Sequence, residues 1–161
     1  MKYTVDLLSK FDTFKNLIIS PGCDMPYDTP VENSIGVTQA VQEFSKTKKS
    51  LKNYQSTDFS EIEVSLPNYE SLEKPLVEVF TIDSDSCAAC TYMWGLATSV
   101  KEELNDQVQI IEYKFTSKEN IARCIKMGVK NLPSLYINGK LEYSSIIPTK
   151  EELIKKLNTF L

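Results

Sequence analysis

The stretch "DSDSCAACTYMWG", residues 83–95, contains two of the four cysteines in a chain of 161 residues. It places Cys87 and Cys90 two residues apart. A Cys-x-x-Cys pair of this kind either exchanges electrons with a disulfide or contributes two ligands to a metal site. A third interpretation is that both cysteines are small buried core residues. The rest of the chain has to decide between these three.

The residues around the pair predict an α/β unit. "LVEVFT", residues 76–81, is typical of a strand, and residues 87–104 have apolar side chains on one helical face, with Asp85 or Ser86 as the expected cap. The later predicted elements are a strand at 108–115, a helix opened by a Thr116/Glu119 capping box, strands at 134–138 and 140–144 around a type I′ Asn138-Gly139 turn, and a helix capped by Thr149. The order β-α-β-α-β-β-α predicts a mixed sheet with helices on its faces.

The position of the pair favours redox chemistry over metal binding. A thiol at a helix N-terminus ionises more easily, and such pKa values fall from about 8.5 to roughly 3.5–7.5. Cys87 is therefore expected to attack and Cys90, one turn later, to resolve; the nearby Asp83 and Asp85 limit the expected lowering of the Cys87 pKa. A structural zinc site needs four ligands, and the four cysteines are scattered along the chain.

Composition excludes several other functions. The chain has no histidine, which rules out Cys-His and Ser-His catalysis and any zinc site that needs imidazole. With a net charge of −4 and one lysine cluster in a Ser/Asn-rich stretch, we expect no nucleic-acid partner. The N-terminus lacks a signal-peptide pattern and no apolar run is long enough for a membrane span, so we expect a cytoplasmic protein without membrane contact. Thiols stay reduced in that compartment.

From about Leu76 to Leu161 the sequence resembles the thioredoxin-like superfamily. The resemblance rests on Cys87-Ala-Ala-Cys90, on the element order, and on "GVKNLPSLYINGK", residues 128–140, which is similar to the family's cis-proline segment. It implies a cis Leu132–Pro133 bond facing the cysteine pair, with the backbone at Leu132 and Pro133 binding substrate. It also implies a thiol-disulfide oxidoreductase that needs no cofactor beyond its redox-active Cys87–Cys90 disulfide and acts on a protein disulfide or a redox protein.

The chain also departs from that family. Ala-Ala stands between the cysteines where thioredoxin has Gly-Pro, and no tryptophan precedes Cys87. The family's buried acid on the first strand has no certain match: Glu78 is the only carboxylate there, and we interpret it as a solvent-facing strand residue. We interpret Cys124 as a core residue, with a third redox thiol as the alternative.

The N-terminal third has a different pattern. Leu17–Ser20 is a predicted short strand, and Thr29 to Glu32 form a capping box that opens a helix. The predicted buried face of this helix consists of Val31, Ile35, Thr38, Val41 and Phe44. "SPGCDMPYDTPVEN", residues 20–33, resembles the last βα unit of the uroporphyrinogen decarboxylase-like barrel in its cobamide-dependent methyltransferase branch. In that branch the cysteine of this loop is a zinc ligand, which implies the same for Cys23.

Together these patterns predict three segments. Residues 1–45 are a barrel remnant that cannot close a core alone, 46–75 a polar linker, and 76–161 a thioredoxin-like domain. The predicted fold class is therefore an α/β three-layer sandwich with an N-terminal βα extension, and the predicted function is dithiol exchange associated with a corrinoid-dependent methyltransferase subunit. Zinc is expected only if a partner completes the Cys23 site. The alternative function is a non-catalytic redox or docking module, or a detached fragment of such a methyltransferase.

Overall fold

The computed structural model describes residues 1–22, 25–27, 29–55 and 58–161. The described residues within Met1–Gly22 and Tyr27–Thr57 form one compact unit, and those within Cys23–Pro26 and Asp58–Leu161 form a second. The elements are α1 Lys2–Leu8, α2 Val31–Gln42, α3 Phe44–Ser50, β1 Leu76–Thr81, α4 Ala88–Glu103, β2 Gln109–Lys114, α5 Lys118–Lys126, β3 Ser134–Ile137, β4 Lys140–Ser144 and α6 Lys150–Leu157. Within the described ranges no helix combines the length and the apolar character that crossing a membrane requires.

The C-terminal unit contains a four-stranded mixed sheet in the order β2-β1-β3-β4. β1 pairs parallel with β2 and antiparallel with β3, and β3 pairs antiparallel with β4. From β1 onward the chain order is β-α-β-α-β-β-α, as predicted. The parallel pair needs a crossover connection, which α4 supplies, whereas a tight turn is enough for the last two strands.

Helices cover both faces of this sheet. Val77 and Val79 pack with residues of α4 and α6 in one fully buried cluster, which also contains Leu135, Ile137, Met93, Ala97, Val100, Val108, Leu153 and Leu157. On the opposite face Phe80 and Tyr136 pack with Cys124 of α5. Burying each large aliphatic side chain stabilises the fold by roughly 1.5–3 kcal/mol. The predicted three-layer α/β sandwich is therefore the observed architecture.

The turn between β3 and β4 has the predicted type I′ conformation. Asn138 and Gly139 both have positive φ, 47° and 75°. The Asn138 side-chain oxygen accepts a hydrogen bond from the Leu76 backbone N–H at 2.8 Å, and the Asn138 backbone N–H donates to the Leu76 carbonyl at 2.9 Å. The turn is thereby tied to the first residue of β1.

The helix starts agree only partly with the predicted caps. Thr149 and Glu152 form the predicted capping box of α6. At α5 the cap is Ser117, which accepts from the Asn120 N–H, so the Thr116 prediction was wrong by one residue. At α4 the cap is Cys87, with no side-chain capping bond, so the Asp85 or Ser86 prediction was also wrong.

The stretch predicted as a linker, residues 46–75, is divided between the two units. Its first residues lie in α3, and residues 58–75 belong to the C-terminal unit. There a 3₁₀ turn at Phe59–Glu61 contacts α5, and the Lys126 ammonium donates to the Val64 carbonyl at 2.7 Å. Val64 itself is buried. Residues 58–75 therefore form part of the folded surface of this unit.

The N-terminal unit is helical in the part of the chain that the structure describes. α1 packs against α2 and α3. Leu17–Ser20, predicted as a strand, has no regular secondary structure, so that prediction was wrong. An isolated strand has no ladder partner for its backbone groups, and the described residues of this unit contain no second strand.

The buried face of α2 also differs from the prediction. Gly36 and Ala40 are buried, whereas Val31 and Ile35 are 65% and 49% exposed. Small residues let the start of α1 approach closely: the Met1 Cβ lies 3.6 Å from where a Cβ on Gly36 would be. The larger apolar side chains of α2 consequently face away from this contact.

We expect Gly139→Ala to lower the free energy of unfolding by about 1–3 kcal/mol. Its φ of +75° disfavours any Cβ, and that Cβ would lie 2.7 Å from the Tyr69 ring. The matched control is Gly95→Ala in α4, where nothing lies within 4 Å of the added Cβ. This control should stabilise the chain by about 0.5–1 kcal/mol. Urea unfolding measures both, and equal effects of the two substitutions would contradict the prediction.

Candidate active site

The two cysteines of the Cys-x-x-Cys lie at the junction of β1 and α4. β1 ends at Thr81, the loop 82–86 follows, and Cys87 is the residue that caps α4. Cys90 lies in the first turn of that helix. A helix N-terminus carries roughly half a positive charge, because its first N–H groups have no partner within the helix. Cys87 therefore lies at a helix N-terminus, as the sequence predicted.

The sulfur atoms of the pair are in direct contact. The Cys87 and Cys90 sulfurs lie 2.6 Å apart. The Ile82 backbone N–H donates in turn to the Cys90 sulfur at 3.4 Å. Both residues are almost completely buried, Cys87 at 1% and Cys90 at 0% exposure. This proximity makes a disulfide between Cys87 and Cys90 geometrically possible. Their catalytic roles remain predictions.

The loop before Cys87 is folded around Asp83. Its backbone carbonyl accepts from the Cys87 N–H at 2.9 Å. Its carboxylate accepts from the Asp85 N–H and from the Ser86 hydroxyl, each at 3.1 Å. These bonds explain why neither Asp85 nor Ser86 caps α4: Ser86 is occupied by Asp83, and the Asp85 side chain points to Lys114.

A lysine of β2 binds both aspartates of this loop. The Lys114 ammonium lies 2.8 Å from an Asp83 carboxylate oxygen and also donates to the Asp85 carboxylate. The hydrogen bond from Lys114 is the main reason that the pKa of Asp83 lies below its ordinary value. The same contacts raise the pKa of Lys114. Asp83 and Lys114 are therefore both charged at neutral pH.

A glutamate of β2 also binds this loop and the strand residue before it. The Glu112 carboxylate accepts from the Thr81 hydroxyl at 2.6 Å and from the Ser84 hydroxyl at 3.0 Å. Thr81 and Ser84 are buried. Sequence reasoning did not single out Glu112 or Lys114. The available signal was two charged residues at alternate positions of a strand, because alternate side chains of a strand share one face.

The predicted substrate-binding loop lies at the same edge of the sheet. The Leu132–Pro133 bond is cis, as predicted. Phe80 pairs with Ser134, and because β1 and β3 are antiparallel, the end of β1 lies beside the start of β3. Leu132 is half-buried and Pro133 is buried. The pairing brings the loops before β3 and after β1 to one edge, and binding of substrate at Leu132 and Pro133 remains a prediction.

Cys124 lies in the core, on the sheet face opposite α4. It is 3% exposed and packs with Phe80 and Tyr136. Burial raises the pKa of its thiol to about 11. The interpretation as a core residue is therefore confirmed.

Glu78 is fully buried, so its interpretation as a solvent-facing residue was wrong. Its carboxylate accepts from the Tyr69 hydroxyl at 2.8 Å and lies 3.6 Å from an Arg123 guanidinium nitrogen. Arg123 also stacks on the Tyr113 ring, 4.4 Å from its centroid. Burial raises the pKa of Glu78, whereas the contacts with Tyr69 and Arg123 lower it. Strand alternation puts Glu78 on the face opposite the Val77–Val79 cluster that packs on α4.

The predicted zinc ligand Cys23 lies outside the described residues. Among the described ones, no group of three or more cysteine, aspartate or glutamate side chains is arranged to hold a metal ion. The described residues therefore do not provide the ligand set of a zinc site. The prediction that Cys23 needs ligands from a partner is not tested by this arrangement.

Comparison with known families agrees with this fold and site. Residues 77–158, about half of the chain, match the family model of the thioredoxin domain. The chain belongs to this thioredoxin family. No curated protein matches its sequence. The family match covers the sheet, α4 and the Cys-x-x-Cys, and it says nothing about the N-terminal unit.

Alkylation of the native chain at about pH 8 is expected to label Cys87 first, then Cys90, and to leave Cys124 unlabelled. With a pKa of about 11, Cys124 is ionised in only about one molecule in a thousand at that pH. Limiting iodoacetamide with peptide mass mapping gives the order. Labelling in denaturant is the control, because there Cys124 should react like any other thiol. Labelling of Cys90 before Cys87 would reverse their assigned roles.

Proposed function

We propose that this chain is a thiol-disulfide oxidoreductase that acts through Cys87 and Cys90. The observation that carries the proposal is the direct contact of the two sulfurs at the N-terminus of α4, 2.6 Å apart. Membership in the thioredoxin family supports it. No cofactor is required, because the dithiol itself carries the two electrons that the reaction transfers.

The exchange proceeds in two steps. The Cys87 thiolate attacks one sulfur of a partner disulfide, so that a mixed disulfide forms, the partner's S–S bond breaks, and the released partner thiolate takes up a proton. Cys90 then loses its proton and attacks the Cys87 sulfur, which forms the Cys87–Cys90 disulfide and releases the second partner thiol. The dithiol is oxidised by two electrons and the partner disulfide is reduced. The reverse sequence oxidises a partner dithiol.

The surroundings assist these steps. The helix N-terminus and the Cys90 thiol, whose sulfur is 2.6 Å from that of Cys87, are both placed to stabilise negative charge on Cys87. The Ile82 N–H does the same for Cys90 when Cys90 becomes the attacking thiolate. The backbone at Leu132 and Pro133 is proposed to bind the partner chain, since its loop lies at the same edge of the sheet. A cytoplasmic location fits this activity, because that compartment keeps thiols reduced.

Turnover of a generic protein disulfide tests the proposal. In an insulin-reduction assay with dithiothreitol, the chain is expected to accelerate precipitation. Cys87→Ser should lose the acceleration completely, and Cys90→Ser should accumulate a mixed disulfide at Cys87 that mass spectrometry detects. Cys124→Ala is the matched control and should keep its activity, because Cys124 lies on the opposite face of the sheet. A wild-type chain without acceleration, or an active Cys87→Ser variant, would contradict the proposal.

The second candidate is a non-catalytic redox or docking module. The near-complete burial of Cys87 favours it, because an attacking sulfur has to reach a partner disulfide. Such a module would oxidise and re-reduce reversibly at the Cys87–Cys90 pair without accelerating insulin reduction. The insulin-reduction assay therefore distinguishes the two functions.

For the N-terminal unit we propose association with a corrinoid-dependent methyltransferase subunit. The proposal rests on the resemblance of residues 20–33 to the cobamide-dependent methyltransferase branch and on the apolar surface of the unit. A groove there is lined mainly by apolar side chains: Leu8, Phe14, Leu17, Ile19, Val37, Thr38, Val41 and Gln42. The alternative is that residues 1–45 are only a detached methyltransferase fragment. In either case zinc would bind only if the partner completed a site at Cys23.

Hydrogen exchange of the isolated chain is expected to show α2 much less protected than α4. α2 buries only Gly36 and Ala40, whereas α4 buries four residues in the main core. Segments with few buried apolar contacts open at low free energy. Peptide-resolved mass spectrometry compares both helices in one sample, so α4 is the internal control. Equal protection of the two would show that this unit needs no partner.

A further inference from the structure

Lys114 binds the loop that precedes the candidate nucleophile Cys87. It lies on β2, outside the Cys-x-x-Cys and its loop, yet its ammonium bonds both acidic residues that precede Cys87. The Asp83 side chain is only 9% exposed and that of Lys114 31%. A pair shielded to this degree is screened less by solvent and salt than a surface ion pair.

Two acidic residues, Asp83 and Asp85, lie in the loop that precedes Cys87. Asp83 is joined to Cys87 by the hydrogen bond from the Cys87 N–H to its carbonyl, and its carboxylate bonds Ser86, the residue next to Cys87. A nearby carboxylate favours the protonated form of a thiol. A loop with two aspartates therefore needs a compensating positive charge if Cys87 is to attack at neutral pH.

We propose that Lys114 is a positioning residue for Cys87: its ammonium neutralises Asp83 and Asp85 and fixes the loop that places Cys87 at the helix end. The proposal rests on the proposed function in that it assigns Cys87 as the attacking thiol. Lys114 acts on it through Asp83 and is not itself part of the exchange.

The other titratable groups around the loop do not replace this charge. Glu112 adds a third carboxylate, which Thr81 and Ser84 bind. Cys90 contributes a thiol, and the first turn of α4 otherwise contributes Ala88 and Ala89. From the Pro133 side the nearest cation in sequence, Lys130, is exposed. Among the described residues, Lys114 is the cation for which a contact with the loop is recorded.

The test is the pH profile of Cys87 alkylation in the full chain, mapped by peptide mass. Lys114→Met should move the midpoint to higher pH and slow alkylation at neutral pH by about threefold to tenfold, because two carboxylates lose their counter-charge. Lys114→Arg keeps the charge and should restore the wild-type midpoint. The Asp83→Asn/Asp85→Asn double variant, with Lys114 in place, should move the midpoint below that of the wild type.

A matched control separates this effect from a general loss of an ion pair. Lys150→Met removes a lysine bound to Glu103, at the far end of α4, and should leave the profile unchanged. Wild-type midpoints in both Lys114→Met and the double variant would overturn the proposal, and so would a shift in Lys114→Met that Lys114→Arg fails to rescue. Alkylation does not depend on turnover. A chain inactive on insulin with the expected shifts would therefore refute the proposed function and leave the role of Lys114 standing.

Discussion

The parallel pairing of β1 with β2 is the constraint on which the rest of the site depends. It sets Thr81 opposite Lys114, so that both strands end at one edge of the sheet. The loop after β1 then lies beside Glu112 and Lys114, which bind Ser84 and Asp83 of that loop. A parallel pair also requires a crossover, here α4, and that helix begins where β1 has just ended. The parallel pairing of β1 and β2 therefore places both the N-terminus of α4, which carries Cys87, and the charged side chains that bind the loop before it.

Those parts of the fold that depend on near neighbours in sequence could be predicted. The Asn138-Gly139 turn, the Thr149 capping box and the strand–loop–helix around Cys87 each follow from a few adjacent residues. The burial of Glu78 could not, because it depends on Tyr69 and Arg123, whose positions only the folded sheet defines. The prediction of the buried face of α2 failed for the same reason. Periodicity located the apolar residues, but contact with α1 selected the small ones.

Burial of Glu78 explains why a polar stretch became part of the C-terminal unit. One carboxylate oxygen of Glu78 faces one Arg123 nitrogen at 3.6 Å, which is too long for a hydrogen bond, and neither atom has another hydrogen-bond partner. Burying charged groups with incomplete hydrogen bonding costs free energy. The remaining bonds offset part of this cost: Tyr69 donates to Glu78, and Arg123 donates to the Ser65 carbonyl at 2.9 Å. Both of these partners come from residues 58–75. This segment therefore supplies hydrogen-bond partners to both Glu78 on the sheet and Arg123 on α5, although its composition is that of a linker.

The charged groups beside Cys87 differ from the Glu78–Arg123 pair on the opposite face of the sheet in how far solvent can stabilise them. Glu78 is fully buried and the Arg123 side chain is 14% exposed, so loss of Arg123 would leave the Glu78 carboxylate buried without its ion-pair partner. At the edge, Asp85 is 73% exposed while Asp83 is nearly buried, and Lys114 bonds both. Solvent can share the charge of Asp85, whereas that of Asp83 depends on its protein partners. The electrostatic influence of this loop on Cys87 is therefore set chiefly by Asp83 and the ammonium bound to it, with backbone donors at the start of α4 acting at shorter range.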